Sequence, residues 1–193
     1  MKKSISILVL FLCISNSFSQ SFSDKKLENY KGYFNFFYEE SQDKIFLEVK
    51  NLEQEFLYIN SLSSGIGSND IGLDRGQLGS DRVVKFMKAG NKLLLIQPNQ
   101  NYRAITDNEL EKKSVEQAFA KSVIFGFKIV ETKNDSYIID MTPFLMQDTH
   151  GVVNRLKRSK EGAYSLDKSK SASLLFQIKS FITMINNISY III

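Results

Sequence analysis

The sequence predicts an α+β domain that is mostly β, an antiparallel and hairpin-rich meander with one or two short helices. Three observations support this prediction. The 193 residues include 15 Phe and 8 Tyr but only two Pro, a composition that favours strands over disorder. Short apolar or alternating runs are separated by Gly, Asn and Asp, as in a hairpin-rich sheet. Only two stretches have the start signals or apolar spacing of a helix.

Each predicted strand is an apolar or alternating run bounded by turn-forming residues. In one of these runs, alternation places Ile45, Leu47 and Val49 on one face of the sheet. The turn 88–91 contains Gly and Asn and predicts a tight hairpin. The predicted strands are 32–38, Lys44–Val49, Phe56–Ile59, 82–86, Lys92–Gln97, 122–131 and 137–141.

Two helices are predicted. Asp107 and Asn108 can cap a helix over 109–120, which has a rough apolar stripe. A second helix-like stretch begins with a Thr-Pro pair and covers 142–158. This second stretch contains His150 and Gly151.

Residues 1–19 have the features of a secretory signal peptide. Lys2 and Lys3 precede an apolar stretch, and small residues lead to a cleavage site near Ser19. The apolar stretch is too short to span a membrane, so we expect a secreted or periplasmic protein with no membrane span after cleavage. Cys13, the only cysteine, lies in the signal, so a mature chain would depend on its packed core rather than on disulfides.

The remaining chain divides into three parts. Residues 20–31 are polar and are predicted to be a flexible or short helical lead-in, and 32–172 form the β-rich domain. Residues 173–193 change in character, because they are rich in Ile, Phe, Asn and Ser. We interpret them as a divergent apolar tail produced by a frameshift or a truncation, in preference to a real terminal strand.

The charge of the chain predicts no nucleic-acid partner. The formal charge of +4 falls to +2 without the two lysines of the signal, because 23 basic and 21 acidic residues remain. So small an excess does not provide the basic surface that nucleic-acid binding requires.

A Gly/Asp-rich loop (63–81) separates the third and fourth predicted strands. Glycines this dense allow positive φ angles and close backbone approach, and long loops inside compact domains are uncommon unless functional or disordered. We therefore predict a shaped loop that contacts a partner or has a structural role. Its candidate residues are Gly65, Gly67, Asn69, Asp70, Asp74, Arg75 and Gly76.

Few side chains of the chain could support catalysis. We interpret His150, the only histidine, as a structural hydrogen-bonding residue, and one histidine without a mature cysteine does not supply the ligands of a zinc site. Asn69, Asp70 and Asp74 could ligate calcium, but their spacing fits no EF-hand loop and turn formation is the preferred interpretation. Neither a dinucleotide fingerprint nor a serine-nucleophile motif occurs. We therefore assign no catalytic, cofactor or metal residue.

Several separated segments resemble, in the same order, the N-terminal region of a family of large secreted bacterial zinc-dependent metalloproteases. The closest agreement is GIGSNDIGLDRGQ at 65–77. The resemblance covers residues 32–172. The other segments are 32–35, Lys44–Val49, 55–58, 97–99, 102–104, 122–127, 148–152 and 164–167.

The resemblance implies that this chain is a non-catalytic N-terminal domain, truncated before the protease domain. In that family the zinc site is an H-E-x-x-H helix further along the chain, where two histidines bind zinc and the glutamate activates water. This chain contains no such motif. The resemblance therefore transfers no catalytic residue, places zinc only in the missing protease domain, and names that domain as the partner.

Two alternatives belong to different functional classes. The first is a stand-alone secreted protein-binding or inhibitor module that uses the Gly/Asp-rich loop. The second, and least favoured, is an enzyme that uses His150 with Asp148.

Overall fold

The protein is built on one nine-stranded sheet in the computed structural model, which describes residues 22–62, 65, 71–171 and the backbone of 190–192. The strands are β1 (Glu28–Tyr30), β2 (Asn35–Glu39), β3 (Lys44–Val49), β4 (Phe56–Ile59), β5 (Arg82–Ala89), β6 (Lys92–Gln97), β7 (Ser122–Lys133), β8 (Ser136–Asp140) and β9 (Tyr190–Ile192). Their order in the sheet is β1-β2-β3-β8-β7-β6-β5-β4-β9.

Every pair of neighbouring strands is antiparallel except β4 and β9, which are parallel. The run from β5 to β8 is a meander, because each strand pairs with the next one in the chain. The structure therefore confirms the α+β, mostly β class. β3, β4 and β6 have the predicted bounds, since each is an apolar run between clear turn residues.

Alternation in β3 decides which side chains enter the core. Ile45, Leu47 and Val49 belong to the main buried cluster, as the alternation predicted. Phe46 points to the other face, where its ring packs edge-on against Phe22 with centroids 5.1 Å apart. Most of the core is therefore on one side of the sheet, and the N-terminal segment covers part of the other side.

Phenylalanine rings connect the strands within the core. Phe86 of β5 lies 5.8 Å from Phe34 and 5.9 Å from Phe127 of β7, measured between ring centroids. Phe127 in turn lies 5.5 Å from Phe144. Edge-to-face aromatic packing of this kind adds about 0.5–1.5 kcal/mol per pair beyond the burial of apolar area.

The segment predicted as a flexible or short helical lead-in is folded against the sheet where the structure describes it. Phe22–Asp24 forms one turn of 3-10 helix, and β1 pairs with β2. The Nζ atom of Lys25 lies 2.8 Å from a carboxylate oxygen of Glu39, and both side chains are nearly buried. The apolar ring of Phe22 and this ion pair hold a segment whose composition alone is that of a loop.

The structure contains three α-helices among its described residues: α1 (Glu109–Ala118), α2 (Thr142–Leu145) and α3 (Val152–Arg158). The Asn108 side chain accepts a hydrogen bond from the Leu110 N–H and caps α1, as predicted. The prediction of one continuous helix over 142–158 is wrong. The chain turns between α2 and α3, because Gly151 has a φ of 65° and Asp148 binds the first amides of α3. None of the described helices is long and apolar enough to cross a membrane.

The segment predicted as a divergent tail contains β9 at its end. The backbone of Tyr190–Ile192 pairs with residues 57–59 of β4. The other residues of that segment, 173–189 and 193, lie outside the described residues, as does the predicted signal peptide.

Several connections meet at one end of the sheet, which we call the loop end. The antiparallel registers place the end of β4, the start of β5, the end of β6 and the start of β7 side by side. The Gly/Asp-rich loop and the connection 98–121 therefore both leave the sheet there. The helix α2 lies near the same end, with the ring of Phe144 5.7 Å from that of Tyr58.

Candidate functional site

The Gly/Asp-rich loop is closed at its base by backbone hydrogen bonds. Ser61 and Leu78 form an isolated antiparallel bridge. The Gly79 N–H donates to the Asn60 carbonyl (2.7 Å), and the Leu62 N–H donates to the Gln77 carbonyl (2.9 Å). The pairing of β4 with β5 thus continues into the base of the loop, through residues 60–62 and 77–79.

Glycines allow this backbone to approach itself. A Cβ atom on Gly65 would lie 3.0 Å from the backbone nitrogen of Arg75 and 3.2 Å from the carbonyl oxygen of Leu73. Gly76 has a φ of 82°, in the left-handed region that glycine adopts without strain. Two of the predicted loop residues therefore have a demonstrable structural role.

A side-chain contact joins the base of the loop to the turn before α3. The Asn60 side chain is buried, and its Nδ2 atom lies 3.0 Å from Nε2 of His150. An amide Nδ2 atom can only donate, so in this contact Nε2 of His150 is the accepting atom. This contact is compatible with the structural role predicted for His150, which stays a prediction.

Asp148 does not orient His150 in the described contacts. Its two carboxylate oxygens accept hydrogen bonds from the N–H groups of Val152 (2.7 Å) and Val153 (2.9 Å). These are amides of the first turn of α3, which have no partner within the helix. The Asp148 carboxylate therefore caps the helix.

A second contact holds the middle of the loop. The Nη1 atom of Arg155 in α3 donates to the Gly72 carbonyl at 2.6 Å. The next residue, Leu73, is only 1% exposed, so the loop also inserts an apolar anchor. A charged hydrogen bond and a buried leucine together restrict the loop far more than a surface connection of its length requires.

Several side chains of the described part of the loop are exposed, and three of them differ in chemical character. Asp74 and Arg75 are exposed, and Leu78 is 60% exposed. The three combine a negative charge, a positive charge and an apolar surface, which are the contact types of a protein interface. The predicted residues Gly67, Asn69 and Asp70 lie outside the described residues, so the calcium alternative stays a prediction.

The described residues contain no group of three or more His, Cys, Asp or Glu side chains placed to hold a metal ion. His150 and Asp148 both serve structural contacts, as shown above.

Three residues that organise the loop were not identified from the sequence. Asn60, Leu73 and Arg155 have no local motif that marks them, and their partners are distant in the chain. The role of Asp148 could have been recognised from the sequence, because an Asp shortly before a helix commonly caps it.

Comparison with known proteins gives one match. A family model described as "Domain of unknown function (DUF5117)" matches residues 76–190 of the 193, which is more than half of the chain. The matched range begins inside the Gly/Asp-rich loop and includes β5 to β8 and all three helices. Neither a curated protein nor a solved structure matches the chain.

Proposed function

The chain belongs to the family described as Domain of unknown function (DUF5117), and we propose that it acts as a secreted, non-catalytic accessory domain that binds the catalytic domain of a zinc-dependent metalloprotease. The observation that carries the proposal is the held conformation of the described residues 71–79 of the Gly/Asp-rich loop. His150 and Arg155 fix it at two points, and Leu73 anchors it.

A loop fixed before binding has a thermodynamic advantage. Ordering of a mobile loop opposes association, and this cost is absent where the loop is already held by its own domain. The exposed side chains of Asp74, Arg75 and Leu78 would then contact the partner from a rigid support. This is the arrangement expected of a binding surface.

The choice of partner depends on the resemblance to secreted metalloproteases. The segment of closest agreement, 65–77, belongs to the loop that is fixed at the loop end of the sheet. A segment whose main purpose was to connect two strands would need neither this length nor so many glycines. The resemblance and the geometry therefore direct attention to the same residues.

The test measures binding of the full chain to a separately produced protease domain that carries the H-E-x-x-H motif, by calorimetry. We expect Leu78→Ser and Arg75→Ala each to weaken binding by about tenfold or more, which corresponds to about 1.4 kcal/mol. Val130→Ser is the matched control, because Val130 is also an exposed apolar residue but lies on β7 roughly 26 Å from the loop end.

Two results would contradict the proposal. One is the absence of binding to the protease domain by a folded chain. The other is binding that the two loop variants leave unchanged, because the contact would then lie elsewhere on the domain.

The alternative function is a stand-alone secreted binding or inhibitor module that uses the same loop. It is supported by the same held conformation and differs only in the partner. Binding to a different protein, lost in Leu78→Ser and retained in Val130→Ser, would favour this alternative over the accessory domain.

A further inference from the structure

A cavity of about 430 Å³ lies beside the connection 98–121, at the loop end of the sheet. Ten residues line it, and none of them is charged. Four are Asn or Gln, and two are aromatic. The volume is within the range of small-molecule sites.

The aromatic part of the cavity is a stacked pair. The rings of Tyr102 and Phe119 lie 4.0 Å apart between centroids and are parallel to within 7°. Each ring covers one face of the other, yet Tyr102 remains 56% exposed and Phe119 38% exposed. The exposed area of the two residues must therefore come largely from the outward faces and edges of their rings. An open aromatic face is thus present.

The fold of the connection holds this pair in position. Oδ1 of Asn99 accepts hydrogen bonds from the N–H groups of Asn101 (3.0 Å) and Tyr102 (3.3 Å), which fixes the turn after β6. On the other side, the Phe119 N–H donates to the Val115 carbonyl at the end of α1. The two rings thus meet because the turn and the helix bring the two ends of the connection together.

Hydrogen-bonding groups surround the aromatic face. The side-chain amides of Gln97 and Asn101 line the cavity and have no hydrogen-bond partner among the described residues. Each carboxamide offers two N–H donors and one acceptor oxygen. Ser122, at the start of β7, adds a hydroxyl group that can do both.

These features select a class of ligand. A pyranose ring has an apolar C–H face that can lie against an aromatic ring, and its hydroxyl groups both donate and accept hydrogen bonds. No charged residue lines the cavity itself, and the nearby guanidinium group of Arg103 is hydrogen-bonded to the side chain of Gln100. A second cavity, of about 680 Å³ beside the N-terminal segment, differs in this respect, because six Lys, Glu and Asp residues line it.

We propose that this cavity binds a neutral sugar unit of a carbohydrate chain, with the ring of Tyr102 as the stacking surface and the amides of Gln97 and Asn101 as hydrogen-bonding groups. The proposal is independent of the protease partner, since it uses none of the residues of the Gly/Asp-rich loop.

The experiment titrates the full chain with neutral oligosaccharides and follows binding by nuclear magnetic resonance. The probes are cellohexaose, maltohexaose, xylohexaose and chitohexaose, each up to about 10 mM, because isolated sugar sites bind weakly. Heparin and a proline-rich peptide are tested alongside them. We expect at least one neutral oligosaccharide to bind and to shift the resonances of residues 97–122.

Variants then locate the site. Tyr102→Ala should weaken binding by about tenfold or more, whereas Tyr102→Phe keeps the ring and should retain binding within about twofold. Asn101→Ala should also weaken binding. Removing the Asn101 side chain leaves no hydrogen-bonding group of the described residues without its partner. Val130→Ser is the control for an unrelated exposed position.

Four outcomes would overturn the proposal. Two concern the neutral oligosaccharides: that none of them binds, or that binding is equal in Tyr102→Ala, Asn101→Ala and the unmodified chain. The other two are binding of heparin alone, lost in added salt, and binding of the peptide alone. If the thermal unfolding midpoint of Asn101→Ala is unchanged, any loss of affinity in this variant is not caused by unfolding.

Discussion

Nδ2 of Asn60 lies 3.0 Å from Nε2 of His150, although the two residues are 90 positions apart in the chain. This contact joins the end of β4 to the turn between α2 and α3. It places the only histidine of the protein at the loop end of the sheet. The conformation of the Gly/Asp-rich loop depends on it.

The first prediction concerns this hydrogen bond. We expect Asn60→Ala and His150→Ala each to lower the free energy of unfolding by about 1–2 kcal/mol, because each leaves a polar group of its partner without its hydrogen bond. In a double-mutant cycle measured by urea unfolding, the coupling should be about 0.5–1.5 kcal/mol. Additive effects of the two substitutions would contradict the contact. Asn101→Ala, at an exposed position, should change the stability by less than about 0.5 kcal/mol.

The second prediction concerns Gly79. A Cβ atom built on this residue would overlap the carboxamide of Asn60, so Gly79→Ala must displace Asn60 from His150. We expect a loss of about 1–3 kcal/mol in chemical unfolding. The matched control is Gly126→Ala, where the nearest atom is the flexible end of Leu94 at 3.3 Å. Equal losses in the two variants would mean that the approach to Asn60 has no special cost.

The third prediction concerns Arg155. Its guanidinium group holds the Gly72 carbonyl, so Arg155→Ala should release the Gly/Asp-rich loop while the sheet remains folded. Limited proteolysis should then cut the loop faster by about tenfold or more, since cleavage follows the population of the open form. Arg158→Ala is the control, because Arg158 contacts only its own helix in the described structure. Unchanged proteolysis in Arg155→Ala would show that Leu73 suffices to hold the loop.

The fourth prediction concerns the pH dependence of stability. Partial burial raises the pKa of Glu48, but hydrogen bonds to its carboxylate, one of them from Asn35 at 2.7 Å, and the charge of Lys50 outweigh this effect. The pKa of Glu48 in the folded protein is therefore lower than the ordinary value of a glutamate.

A lowered folded pKa means that the contribution of Glu48 is present above the unfolded pKa and is lost as the pH falls through the folded pKa. We expect the unfolding midpoint in urea to decrease between pH 5 and more acidic conditions, and to decrease less in Asn35→Ala. A steeper acid dependence in that variant would contradict the role assigned to Asn35.

Local patterns predicted the strands well. The bounds of β3, β4 and β6 follow from apolar runs that end at Gly, Asn, Glu or Pro, so that little tertiary information is required. The cap of α1 follows from Asn108 for the same reason. In each case the interaction that defines the element is formed by residues close in the chain.

The errors occurred where distant contacts decide the structure. The strand β1 and the turn at Phe22–Asp24 belong to a polar segment that is folded because Phe22 packs on β2 and β3 and Lys25 pairs with Glu39. The predicted single helix over 142–158 is divided because Gly151 and Asp148 favour a new helix start. Neither the folded N-terminal segment nor the divided helix can be predicted from the spacing of apolar residues alone.

By itself the sequence determined the fold class, most of the strands and the presence of an unusual glycine-rich loop, because composition, alternation and turn residues act locally. The tertiary structure decided what that loop is attached to and which side chains remain on its surface. Asn60, Leu73 and Arg155 act through partners or burial that the folded sheet creates. Similarly, Tyr102 and Phe119 form one aromatic surface only because the connection after β6 returns to the same end of the sheet.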